Sequence, residues 1–206
     1  MTRRRHRPGR RRAELRLDPY LAYLIFVALG VGTYRLGQDG RLALLWLVLL
    51  AASLVYADNR PIELGYDRRR VGQGLAVGLL LSVPLVALAL DPLRATAARL
   101  YPLGKNTAVF QGLVLIAAPA EEAFFRGVLQ PERGFWVAAG LYALAGVVFF
   151  LPVAASFPVV LAAMIVALAV LGAVYGYVAL RYGLAASIAC HAAVNLVLFV
   201  LPIALG

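Results

Sequence analysis

Apolar runs close to twenty residues long recur along this chain from Pro19 onward, and about 20 such residues is what an α-helix needs to cross the hydrocarbon of a bilayer. Seven stretches qualify: Pro19 to Leu36, Leu42 to Ala57, Val71 to Leu90, Ala108 to Leu129, Phe135 to Ala155, Phe157 to Leu180 and Leu184 to Leu205. The first two do so with help from their polar flanks. The joints between them are polar or turn-forming: "GQDGR", "DNRPIELGYDRRR", "QPERG", "SFP" and "RYG". With 63% hydrophobic and 15% charged residues, the composition lies outside the range of soluble domains. The expectation is an all-α, polytopic membrane helix bundle of about seven transmembrane helices. One transmembrane domain covers 19–206, with a basic tail at 1–18 ahead of it. Leu93, Ala97, Leu100 and Tyr101 recur at helical spacing in the longest loop, which points to an interfacial helix there.

The charge of +10 is not spread over a face, because eight of the twenty cations fall within "MTRRRHRPGRRRAELR". That clustering marks a cytoplasmic flank, drawn to anionic headgroups by ~1 kcal/mol per arginine near the surface. With no aromatic residues interleaved, it does not read as a nucleic-acid-binding arm. No small-x-small site follows the first apolar segment before "TYRLGQDG", so that segment reads as a span and not a cleaved leader. Seven spans place fifteen of the twenty cations on the side of the tail. Arg35, Arg41, Arg94, Arg99 and Lys105 fall on the other side. The expected arrangement is a multi-pass protein of the cell membrane, N-terminus cytoplasmic and C-terminus outside. The single cysteine, Cys190, excludes an internal disulfide and reads as a small apolar residue in a packed helix.

Of the ten acidic residues, Glu121 and Glu122 alone lie inside a span, in "APAEEAFFRG". A charge at mid-membrane costs at least ~2.5 to 3.5 kcal/mol, so each carboxylate needs a partner or a task. Arg126 follows Glu122 by four residues, on the same helical face and in the favourable acid-before-base order. Glu121 has only Ala117, Ala118, Phe124 and Phe125 at that spacing, and an apolar setting suits a carboxyl group to proton transfer. Two readings stay open: a structural polar cluster, or an ion pair of Glu122 with Arg126 beside a candidate base, Glu121.

In the last span, "ACHAAVN" puts His191 and Asn195 four residues apart on one face. Taken alone, such a pair is commonly interhelical glue. Glu121 lies eight residues before the end of its span and His191 seven after the start of its own, so both sit ~10 to 12 Å below the same surface. Two polar features at one depth suggest one site. A carboxylate and an imidazole meeting there have the equipment of hydrolysis, with Asn195 orienting the histidine or donating to an oxyanion. Ser187, one turn before His191, reads as a hydroxyl bonded back to its own helix.

These residues resemble the CAAX protease and bacteriocin-processing (CPBP, or Abi) family of intramembrane endopeptidases. Its first motif, Glu-Glu-x-x-x-Arg followed by Gly, is matched by Glu121, Glu122, Arg126 and Gly127. His-x-x-x-Asn is matched by His191 and Asn195, and the resemblance covers roughly 108–205. It implies cleavage of a membrane-tethered or lipidated peptide near the cytoplasmic face, with Glu121 and a histidine activating water, Glu122 and Arg126 in support, and His191 and Asn195 assisting the oxyanion. The family's second motif, Phe-x-x-x-His, is incomplete. Phe149 and Phe150 are present, but Val153 and Ala154 stand where the histidine belongs, and the other histidine of the chain is His6 in the tail. Zinc would have to draw its three protein ligands from Glu121, Glu122 and His191, with Glu122 expected to be engaged by Arg126. A glutamate-type mechanism requires no metal. Beside the endopeptidase stand two further readings: a pseudoenzyme of the same fold that binds a membrane partner, and a small proton- or cation-coupled transporter.

Overall fold

The computed structural model describes residues 18–101, 106–154 and 158–205. The basic tail at 1–17, residues 102–105, and the side chains of Val153 and Ala154 lie outside the described residues. Among the described residues seven longer helices follow in chain order: α1 Pro19–Gly32, α2 Gln38–Asn59, α3 Arg68–Leu100, α4 over 106–133, α5 Phe135–Phe149, α6 Pro158–Tyr182 and α7 Leu184–Ala204. Five of them are long and apolar enough to cross a membrane, while α1 and α5 are shorter. The surface is inverted relative to a soluble protein. Leu80, Leu88 and Trp136 are exposed, whereas Glu121, Glu122, Arg126, Gln130, Ser187, His191 and Asn195 are buried. This is a polytopic helical membrane bundle, in which polar groups find partners inside and lipid takes the apolar exterior.

Helix boundaries follow local chemistry. Asp18 accepts the Tyr20 N–H at 2.7 Å at the start of α1, with Pro19 in the first turn. That hydrogen bond, and then Arg133, hold the Asp18 carboxyl below the usual carboxylate range. Asp67 does the same for α3 through the N–H groups of Arg70 and Arg69. The expected interfacial helix is a continuation of α3. The backbone leaves helical geometry at Ala89, just before Pro92, and the remainder packs Ala97 against the bundle.

Prolines also explain three wide turns. The backbone widens to i→i+5 bonding over Gln111–Ala117, Ala123–Leu129 and Leu196–Val200. Each stretch ends two residues before a proline: Pro119, Pro131 and Pro202. A proline has no N–H for the carbonyl four residues back and its ring clashes with it, so the preceding turn opens.

The seam between α3 and α7 is built on small residues. A methyl group on Gly74 would meet the Ala186 carbonyl oxygen at 2.1 Å, and one on Gly78 the Cys190 carbonyl oxygen at 2.5 Å. Ser82, one turn further, is fully buried and donates to the Gly78 carbonyl. Gly74, Gly78 and Ser82 form the four-residue repeat that lets membrane helices touch backbone to backbone.

One end of the bundle gathers the 60–67 segment, the α4–α5 turn and the α6–α7 turn. Arg133 pairs with Asp18 at 2.7 Å, Arg60 pairs with Glu132, and the Ala185 N–H donates to the Leu64 carbonyl. We call this the basic end.

At the opposite end Arg41 departs from expectation. It is not a loop cation: α2 begins at Gln38 and buries it completely. Its guanidinium donates to the carbonyls of Gly30, Val148 and Phe149, and Gln38 donates to Phe149 as well. The fifth helix is interrupted after Phe149, and a separate helical turn covers Leu151–Ala154. Pro152 offers no N–H to the Val148 carbonyl, and Arg41 supplies one in its place. A cation at the C-terminal ends of α1 and α5 is also favoured by their dipoles.

Candidate functional site

Glu121 and Glu122 lie on Ala118–Glu122, a regular segment of α4 held between two of the wide turns. Being adjacent, they point to different surroundings. Glu122 is fully buried and closely bonded. Its Oε1 lies 2.9 Å from His191 Nδ1 and 3.4 Å from Arg126 Nη1, and its Oε2 accepts from Ser187 Oγ at 2.5 Å. Ser187 thus reaches across to α4 and to the Tyr175 carbonyl, contrary to the expectation of a hydroxyl bonded back to its own helix.

The expected Glu122–Arg126 pair is present, and Arg126 is further held by the Gly172 carbonyl at 2.9 Å and by the Tyr142 ring, whose centroid is 4.4 Å from the guanidinium carbon. Glu122 also takes the orienting role that the sequence offered to Asn195. With Glu122 as acceptor, His191 carries its proton on Nδ1 and turns Nε2 toward Glu121 Oε2, 3.9 Å away. The Tyr175 ring stacks on the imidazole at 4.5 Å, and Tyr142 meets it edge-on.

Glu121 has a partner that spacing along its own helix could not reveal. Trp46 of α2 donates its indole N–H to Glu121 Oε1 at 3.0 Å. The available signal was general: a tryptophan inside an apolar span needs an acceptor for its N–H. The second carboxylate oxygen faces His191 across a cavity of about 80 Å³, large enough for water. Glu121, His191, Asn195, Tyr142 and Tyr175 line it, and its walls include Phe149 and Phe150, the surviving part of the incomplete second motif. Asn195 donates to the Leu113 carbonyl at 3.0 Å. That same carbonyl accepts the wide-turn bond from the Ala118 N–H, so Asn195 braces the turn that sets Glu121.

The donor set does not fit zinc. Among the described residues no three His, Cys, Asp or Glu side chains could hold an ion. Glu122 is already engaged by His191, Ser187 and Arg126, which leaves Glu121 and one imidazole nitrogen on the cavity. Chemically the arrangement offers two acceptors on either side of a space for water, walled largely by aromatic rings.

Residues 104–197 match the family model described as type II CAAX prenyl endopeptidase Rce1-like. The match spans α4 to α7, the helices that carry Glu121, Glu122, Arg126, His191 and Asn195. No curated protein and no solved structure matches the chain.

Proposed function

From the Rce1-like CAAX endopeptidase family found over residues 104–197, which supports an intramembrane protease-like function on membrane-associated substrates, we propose a specific chemistry. The chain hydrolyses a peptide bond of a membrane-tethered or lipidated substrate with water activated by Glu121. The observation that carries this reading is the 3.9 Å separation of Glu121 Oε2 and His191 Nε2 across the cavity. Two acceptors at that separation are bridged by one water that donates a hydrogen to each. Its lone pair is then free for a substrate carbonyl carbon. As the C–O bond forms, Glu121 takes the proton from water. As the C–N bond breaks, Glu121 returns that proton to the departing nitrogen, leaving a carboxylic acid and an amine.

His191 holds the water in line, and Glu122 and Arg126 hold His191. Trp46 fixes the Glu121 carboxylate through Oε1 and leaves Oε2 facing the cavity. Asn195, on the cavity wall, maintains the turn beneath Glu121 and has a second N–H for the developing oxyanion. The basic end is cytoplasmic in this proposal, and reporter fusions at Arg133 and Gly206 should label opposite sides of the membrane.

The test is Glu121→Gln. Cleavage of a prenylated reporter peptide in reconstituted membranes should fall by ~10² to 10⁴, with an unchanged yield of folded protein. Cleavage that survives the substitution, or a folded wild-type protein that cuts no lipidated peptide, would overturn the proposal.

A further inference from the structure

At the basic end a groove of about 590 Å³ opens between the 60–67 segment, the end of α4 and the α6–α7 turn. Arg60, Arg70, Arg126 and Arg181 line it, against one lining carboxylate, Glu63. Arg60 is paired with Glu132 and Arg126 with Glu122, whereas Arg70 and Arg181 are exposed and make no ion pair among the described residues. A further observation points to a ligand. Arg126 is only 4% exposed, yet its Nε makes no hydrogen bond.

The groove adjoins lipid-facing surface, since Leu180 lines it and Tyr177, one turn earlier on α6, is likewise exposed. A phosphate in the groove would therefore have a place for acyl chains beside it.

We infer that this groove binds the phosphate of an anionic phospholipid headgroup, with Arg70 and Arg181 supplying the positive field. A lipid seated there would bear on Arg126, which also pairs with Glu122, and so couple the headgroup composition of the membrane to the site. The binding itself does not rest on the proteolytic proposal, because it is read without any cleavage assay.

The experiment uses the full chain in detergent, titrated with short-chain phosphatidylglycerol, with short-chain phosphatidylcholine, and with inorganic phosphate. Native mass spectrometry counts bound lipid, and the thermal midpoint reports binding of each probe. Phosphatidylglycerol should be retained and should raise the midpoint, with phosphatidylcholine doing neither. Arg70→Gln and Arg181→Gln should each weaken phosphatidylglycerol about fivefold, from the usual contribution of one arginine near anionic lipid. Glu63→Gln should tighten it, a gain that damage to the fold could not produce. Equal retention of the two lipids, or undiminished phosphatidylglycerol binding in the double arginine variant, would overturn the inference. Inorganic phosphate binding as tightly as phosphatidylglycerol would also overturn it, by making the site one for free phosphate and not a headgroup.

Discussion

Helix α7 has two faces that follow opposite rules. Toward α3 it presents Ala186, Cys190 and Ala193, against which Gly74 and Gly78 leave no room even for a methyl group. Toward α4 and α6 it presents Ser187, His191 and Asn195, each reaching another helix through a polar atom. The first face is dry and held by shape; the second is held by directed bonds. Close packing fixes the rotation of α7 about its axis to within the tolerance of atomic contact. With that rotation fixed, side chains at i, i+4 and i+8 arrive at Glu122, the cavity and the Leu113 carbonyl together. Shape on one face is thus the condition for chemistry on the other.

Substitutions can test whether the faces are separable. The largest effect is expected at Glu122, where Gln leaves Arg126 buried beside a neutral group and also weakens the hold on His191. A loss of ~3 to 5 kcal/mol is expected for breaking such a pair, seen as reduced folded protein in a detergent unfolding titration. Glu121→Gln should leave that titration nearly unchanged, so equal losses at the two positions would erase the distinction drawn between them.

Gly78→Ala probes the dry face. With its Cβ 2.5 Å from the Cys190 carbonyl oxygen, it should cost ~1 to 3 kcal/mol through overpacking. Because the helix must shift, cleavage should fall by more than the loss of folded protein accounts for. Cleavage falling only in proportion to folded protein would show that the seam does not set the site. Ser187→Ala, on the polar face, removes one hydrogen bond to Glu122 and should cost ~1 kcal/mol in the same titration.

The smallest effect belongs to neither face. Asp18→Asn at the exposed Arg133 contact should lower the midpoint only slightly at neutral pH. The Asp18 carboxyl is held below its ordinary range in the folded state, so its contribution is present above the unfolded value and is lost as pH falls through the lower folded one. Any difference between Asp18→Asn and wild type should therefore vanish at low pH, as an unfolding titration repeated across acidic pH would show.

The sequence revealed that Glu121, Glu122 and His191 share one depth because helical rise is constant, so counting residues from the ends of two spans measures height. It revealed the Glu122–Arg126 pair because both residues lie on one helix. It could not reveal Trp46 against Glu121, Ser187 against Glu122 or Arg41 against Val148 and Phe149, since each of these contacts joins helices whose mutual rotation no local pattern records. Arg41 was the most misleading. A cation beside a "GQDGR" turn looks solvated, and only the break after Phe149, ahead of Pro152, frees the carbonyls that draw it inward.

The wide turns bear on how this chain tolerates insertions and deletions. An i→i+5 stretch accommodates one residue more than the regular helix would, so it acts as a local store of chain length. Removing one residue from Gln111–Ala117 can be absorbed by a return to i→i+4 bonding. Both flanks of the stretch, Glu121 and Glu122 among them, would then keep their places. The same deletion within Ala118–Glu122, which has no residue in reserve, would carry the two carboxylates past their partners. Length variation in this helix is therefore confined to the stretches before its prolines.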